Sequence, residues 1–283
     1  MQGTGEDAAT AYGREGYALV RGLFTAGECA AYRDHYMALR AEGPRPGDHA
    51  GVDLSSSDPL RKFPRMIHMH RWDQTSRDWL LSDRLYDVLT ALVAGVEPWA
   101  VQTMLYFKPP RARGQALHQD QYYFRIRPGT SVAAWMALDP SDEETGCIQV
   151  VPGTQGTPVL CTRKADTTRS FTDVEVPLPD GLAPLSVEME PGDVLFFNGS
   201  IVHGSGVNRS PSRFRRALIG HYITGDAEKV AEWYRPIWRR DGSEVVVGNS
   251  ELGGPCGVWV DRSGAPSVEL AGRQDLHPNQ RHG

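Results

Sequence analysis

The hydrophobic positions of the chain follow two regimes. YALVRGLF (17 to 24) reads as a short strand that runs into TAGE, where Thr25 would cap a helix and Glu28 reach back to it. Cys29, Tyr32, Tyr36 and Leu39 then recur at helical spacing, which predicts an amphipathic helix over 25–41. A polar Gly/Pro-rich loop follows at 42–59, and a second helical region spans roughly 75–94 with Leu85, Val88, Leu89 and Leu92 on one stripe. From about 99 the pattern changes. WAVQTMLYFK (99–108), the run around HQD, SVAAWMALD (131–139), CIQVVPG (147–153), GDVLFFNG (192–199) and RRALIGHYI (215–223) are short, apolar or alternating, and bounded by Gly, Pro or Asp. Strands at this spacing without helical crossovers predict a mainly β fold with flanking helices, an antiparallel jelly-roll with the helices outside. After 225 the chain opens with a short helical stretch, AEKVAEWYRPIW, and continues as polar Gly/Pro-rich segment to which the pattern assigns no structure.

Length and composition narrow this further. The 283 residues read as one domain (1–283): a helical part at about 25–94, a jelly-roll core at about 99–225 and an extension at 226–283. With 40% hydrophobic residues, 23% charged residues and a net charge of −5, the composition is that of a soluble globular protein, so a cytoplasmic location is the default expectation. Arginines are scattered among acids, which argues against a nucleic-acid partner, and no apolar run approaches the roughly 18 residues of a membrane helix. Cys29, Cys147, Cys161 and Cys256 lie far apart without a C-x-x-C pair and are expected to be reduced. Arginine supplies 26 of the 30 basic residues, as in proteins from high-GC bacterial genomes. Nothing in the pattern bears on oligomeric state.

The chemistry starts from LHQDQYYF (117–124). If this is a strand, His118 and Asp120 share one face while Gln119 and Gln121 point away, so two good ligands for a divalent metal converge. A third comes from IVHGSG, where His203 follows the strand GDVLFFNG. Two histidines and one carboxylate form the facial triad of non-haem Fe(II) oxygenases; zinc is the rival, without an H-E-x-x-H to support it. SRFRRALIGHYI, taken as a strand antiparallel to the His203 segment, brings Arg215 or Arg216 into the same cavity, where a guanidinium suits a dicarboxylate. Alternation admits only one of the two.

HQDQYYFRIRP, AWMALD, GCIQVVPGT, PGDVLFFNGSIVHGSGVN and FRRALIGHY, in this order, resemble the phytanoyl-CoA dioxygenase family of Fe(II)/2-oxoglutarate oxygenases over roughly residues 12–225. The resemblance implies a double-stranded β-helix (cupin-like), with His118, Asp120 and His203 as iron ligands and Arg215 on the distal carboxylate of the co-substrate 2-oxoglutarate. Met104, Gln119, Trp135 and Ser205 match positions that line the co-substrate pocket, and Lys62 or Arg65 of LRKFPR is a candidate second cation. Tyr122, Tyr123, Phe124, Arg125 and Arg127 fall where relatives shape the substrate pocket. The implied reaction couples O2 and decarboxylation of 2-oxoglutarate to oxidation of a small-molecule substrate, with bacterial secondary metabolism as the expected setting. The intact Asp120 favours hydroxylation over halogenation; desaturation, epoxidation and cyclisation stay open, as does substrate identity. GSGVNR fails G-x-G-x-x-G and gives no CoA or nucleotide signature. The competing readings are a non-catalytic jelly-roll binder of a metal and a small acid, and a zinc lyase or isomerase. The 42–59 loop and the segment after about 240 are expected to be mobile and to close as a lid.

Overall fold

The computed structural model describes residues 5–48, 51–251 and 253–274. Two β-sheets face each other in a double-stranded β-helix. The larger runs, in spatial order, Tyr17–Val20, Val194–Asn198, Ser131–Ala137, Ala217–Thr224, Pro98–Tyr106, Ile237–Trp238, Glu244–Val245, with Met66–Ile67 added beside Pro98–Tyr106. The smaller runs Gln115–His118, Val202–Ser205, Ile148–Val151, Leu185–Val187. All of these pairs are antiparallel.

Side-chain alternation along Ala217–Thr224 separates two apolar layers. Ala217 and Ile219 join Met104, Trp135, Ile148 and Val150 between the sheets, while Leu218 and Tyr222 pack outward against the helices with Trp79, Leu85, Tyr86 and Leu89. Gly220 is required by that outer contact. A Cβ there would meet Leu80 Cδ1 at 2.9 Å, and Tyr222 Oη donates to the Leu80 carbonyl at 2.7 Å. The helix Ala26–Ala41 carries the expected capping box, with Glu28 N bound to Thr25 Oγ1 and Thr25 N to Glu28 Oε2.

Several expectations need correction. The helical region over 75–94 is two helices, Gln74–Leu80 and Asp83–Leu92, because Ser82 is extended (φ −66°, ψ 140°) and its carbonyl starts the second one. A helix at Gly5–Glu15 precedes the first strand and was not read from the pattern. AEKVAEWYRPIW is a two-residue strand, a single 3₁₀ turn at Glu232–Tyr234 and the strand Ile237–Trp238. Pro236 cannot continue a helix, and Trp238 pairs with Ala100 on the large sheet. The polar tail folds into a hairpin, Gly254–Arg262 with Ala265–Gln274, whose Trp259 and Val268 pack on Val151, Leu160, Val176 and Val202. Cys161 and Cys256 are joined by a disulfide that ties this hairpin to the loop beside the small sheet, so only Cys29 and Cys147 are free, both buried. Spacing could not reveal the pair, since 95 residues separate them. Residues 49–50 of the 42–59 loop lie outside the described residues; on either side of them the loop is held at several points. Arg40 and Asp48 form a buried ion pair, the Gly47 carbonyl accepts from Ile67 N, and Asp58 caps Pro59–Lys62 while pairing with Arg113. No helix among the described residues is long and apolar enough to cross a membrane.

Candidate metal centre and co-substrate pocket

The Gln115–His118 strand ends at His118, and the chain turns into the short helix Gln121–Phe124 with Asp120 already in helical conformation (φ −61°, ψ −35°). Asp120 therefore joins His118 through a turn and not through strand alternation. Gln119 explains the turn: Nε2 donates to Thr157 Oγ1 and to the Pro158 and Ser200 carbonyls, and Oε1 accepts from Leu160 N. That side chain is fully used there and does not line the cavity. His203 sits directly across from His118 on the neighbouring strand, their rings 4.1 Å apart.

The donor atoms of His118, Asp120 and His203 lie within 4.8 Å of one another, and all three residues are buried. Asp120 Oδ1 is 3.7 Å from His118 Nε2 and 3.6 Å from His203 Nε2. The two rings are oriented alike, each Nδ1 against the carbonyl two residues back, Ala116 at 2.9 Å and Ile201 at 3.1 Å. A carbonyl only accepts, so Nδ1 carries the proton and each Nε2 offers a lone pair to the centre. Burial, with His203 alongside, pushes His118 down to about 3, and burial lowers His203 as well. Burial alone would raise Asp120, but His203, His221 and His118 outweigh it and hold the carboxyl well below its usual range. Two neutral imidazoles and an ionised carboxylate on one face fit a divalent iron.

A cavity of about 220 Å³ opens from this corner. Three inward residues on adjacent strands of the large sheet, Met104, Ile219 and Trp135, form one row of its floor. Arg215 lines the far side, 3% exposed, with its guanidinium 5.1 Å above the Trp135 ring. It lies just before the Ala217–Thr224 strand, in the large sheet and not in a strand paired to the His203 segment. Its side chain makes no hydrogen bond or ion pair within the described residues, and burial lowers it to about 10. Arg216 turns the other way and grips Asp139 through Nε (2.7 Å) and Nη2 (3.0 Å). Ser205 lines the cavity too, its Oγ accepting from Lys108 Nζ at 3.0 Å and from Gln115 N at 3.2 Å.

Other candidates divide. Phe124 lines the cavity, whereas Tyr122 and Arg125 do not, because one short helical turn aims only Tyr123 and Phe124 inward. Arg125 instead donates to the Tyr122 carbonyl and lies over the Tyr122 ring. Of LRKFPR, Arg65 reaches the cavity and donates to Tyr106 Oη at 3.2 Å, while Lys62 stays outside.

The sequence model of the phytanoyl-CoA dioxygenase (PhyH) family matches residues 12–217. The chain belongs to the phytanoyl-CoA dioxygenase family. Membership makes it an Fe(II)/2-oxoglutarate-dependent dioxygenase, and the donor set described above suits that iron. Among curated relatives, a probable phytanoyl-CoA dioxygenase of Caenorhabditis elegans is 34% identical over 232 residues, 76% of this chain and 74% of the relative. The peroxisomal phytanoyl-CoA dioxygenase of Rattus norvegicus is 33% identical over 141 residues, 47% of this chain and 41% of that protein. Solved structures with this fold include the 2-oxoglutarate-dependent epimerase SnoN from nogalamycin biosynthesis (TM-score 0.63, 24% identity, 79% of this chain and 84% of that one). EctD from S. alaskensis is another (TM-score 0.62, 20% identity, 86% and 87%).

Family membership leaves unmentioned several residues that sequence reasoning missed. Lys108 is buried between the sheets, with Nζ on the Gly146 and Gly206 carbonyls and Ser205 Oγ. Burial, and Arg215 close by, lower it well below an ordinary lysine. His221, Gln102, Tyr106 and Tyr234 also line the cavity. Strand alternation from Arg215 through Ala217 and Ile219 already pointed His221 inward. No local signal marked Lys108, whose φ of 33° turns the chain after Pro98–Tyr106.

Proposed function

We propose that the protein hydroxylates a C–H bond of a small molecule, with Fe(II) on His118, Asp120 and His203 and 2-oxoglutarate anchored by Arg215. One observation carries this reading: a buried arginine whose side chain makes no hydrogen bond or ion pair among the described residues faces the same cavity as the facial triad. An unpaired buried guanidinium costs several kcal/mol unless an anion meets it, and a carboxylate matches its two parallel donors. Iron and 2-oxoglutarate, when bound, would let O2 oxidise the substrate, one oxygen atom ending in succinate as CO2 is lost and the other in the C–OH of the product. The remaining work is done by side chains. Trp135 supports the Arg215 guanidinium from below, Lys108 holds the Ser205–Gly206 turn, and Met104 and Ile219 keep the floor apolar and free of water. Tyr123, Phe124 and Tyr234 form the wall beside Asp120 where a substrate would rest, Phe124 and Tyr234 being stacked at 3.9 Å. Arg65, with Phe171 and Tyr106 under its guanidinium, gives the mouth a positive charge suited to a polar or anionic substrate.

Tailoring of a secondary metabolite belongs to the same proposal; the fold likeness to SnoN, an enzyme from nogalamycin biosynthesis, supports it. The test is a screen of amino acids, acyl thioesters and natural-product scaffolds for compounds that stimulate succinate formation with matching O2 uptake. A hydroxylated product in step with succinate supports the proposal. Metal-loaded protein that forms no succinate with any of them, or a product without added oxygen, contradicts it.

A further inference from the structure

Asp120 presents its two oxygens to different neighbours. Oδ1 faces the corner shared with His118 and His203, whereas Oδ2 is turned towards His221, whose Nε2 lies 3.3 Å away. The contact is close but lacks the alignment of a finished hydrogen bond, and among the described residues Oδ2 is buried without another partner. His221 is itself only 4% exposed, and among the described residues its imidazole makes no other polar contact. Its position is fixed from several sides. The backbone lies in the Ala217–Thr224 strand between Gln102 on one neighbour and Ala133 on the other, and the ring leans on Phe124 at 5.0 Å. Small Ala133 leaves room for the ring. Directly after His221 the register with Pro98–Tyr106 slips by one residue, a bulge of the kind that re-aims side chains beside active sites.

We propose that His221 is a positioning residue that holds Asp120 as a one-oxygen ligand, its Nε2–H donating to Oδ2 so that the carboxylate cannot turn both oxygens to the metal. The inference rests on the reading of His118, Asp120 and His203 as the iron site. Its consequence is a matter of available positions. A facial triad leaves one face of an octahedral metal for the chelating 2-oxo acid and for dioxygen. A carboxylate bound through both oxygens takes a position on that face, and the co-substrates then compete for what is left. The strand that carries His221 is the continuation of the segment that carries Arg215. One strand thus fixes both the far carboxylate of 2-oxoglutarate and the near carboxylate of the protein.

The rival role for His221 is packing under Phe124, and two substitutions separate them. His221→Phe keeps a ring and loses the donor; His221→Gln loses the ring and keeps an N–H at comparable reach. With Mn(II) as the probe and calorimetry as the readout, His221→Phe is expected to weaken binding about ten- to a hundred-fold, as losses of such outer hydrogen bonds do. His221→Gln is expected to recover most of that affinity. The reverse order, with Phe behaving as wild type and Gln impaired, overturns the proposal in favour of packing. Independently of whether either variant folds, a crystal structure of the wild-type chain with Mn(II) should show Asp120 bound through Oδ1 alone and Oδ2 within hydrogen-bond distance of His221 Nε2. Two-oxygen ligation, or a His221 swung away, overturns it. Absence of Mn(II) binding by the wild-type chain overturns the triad reading, and this proposal with it.

Discussion

The four-stranded sheet brings its chemistry to the cavity through strand ends, and the large sheet through the middle of its strands. His118 is the last residue of its strand and Asp120 lies in the turn beyond it, with His203 directly opposite on a four-residue strand. Met104, Trp135, Ile219 and His221 instead lie within long, paired strands, and Arg215 stands two residues before one. Strand ends allow three ligand atoms to converge, because the turn gives Asp120 a direction that strict alternation would deny it. Mid-strand residues are held by neighbours on both sides, which suits a floor that must stay dry. On the proposed reading the small sheet would supply the metal's ligands, and the large sheet the floor over them together with His221, which faces Asp120.

The sharpest way to break this division is to remove one ligand from the small sheet's side. His118→Ala, Asp120→Ala or His203→Ala is expected to abolish turnover and reduce metal binding to background, with the fold intact because the apolar layers do not depend on these residues. Near wild-type turnover in any one of them excludes that residue from the triad.

The next effect is on the large sheet. Arg215→Ala is expected to raise the apparent KM for 2-oxoglutarate roughly 30-fold to several thousand-fold, since truncating one partner of a desolvated charge pair costs about 2–5 kcal/mol. Arg216→Ala, which breaks the bidentate contact with Asp139, is expected to leave that KM nearly unchanged and to cost about 1–3 kcal/mol of stability. Steady-state kinetics and urea unfolding of the two variants check this pair, and exchanged phenotypes would reverse the assignment.

Legibility followed the same division. H-x-D and the lone His203 are local features, and both fall at the metal corner. The reason given for pairing His118 with Asp120 was strand alternation, which the Gln119-anchored turn replaces. The core strands were readable from apolar runs closed by Gly, Pro and Asp, because burial on both faces dictates such runs. Lys108 and the Cys161–Cys256 bridge were not, since each depends on residues far apart in sequence that meet only in the folded chain. Tyr122 and Arg125 were named only for their place after H-x-D, and that place does not say which way a side chain points: one turn of helix separates adjacent side chains by about 100°, and only Tyr123 and Phe124 face the cavity.

A smaller effect comes from two histidines that follow Met66–Ile67. His68, beside Tyr234 of the cavity wall, and His70, against Thr103, are buried and pushed down to about 2 and about 3, chiefly by burial and then by Arg71. Their folded values lie below the ordinary 6.5, so the unfolded chain binds more protons in acid. Stability from them is fully present above pH 6.5 and is lost progressively as pH falls towards 3. The expected loss is on the order of 1 kcal/mol per pH unit for each histidine. Urea unfolding at pH 7 and pH 5 with chelator, compared between the wild-type chain and a His68→Gln/His70→Gln variant, measures it, because His118 and His203, also lowered by burial, contribute equally to both chains. An equal loss in the two chains would mean that His68 and His70 are not held neutral by burial.

The central claim is that iron sits at His118, Asp120 and His203 while 2-oxoglutarate reaches from it to Arg215. It is tested most directly by anaerobic titration of the Fe(II)-loaded protein with 2-oxoglutarate, read by the visible charge-transfer band of the chelate. The wild-type chain should develop the band at stoichiometric iron, Asp120→Ala should not, and Arg215→Ala should develop it only at far higher 2-oxoglutarate. A band that persists in Asp120→Ala, or that saturates at the same concentration in Arg215→Ala as in wild type, contradicts the account.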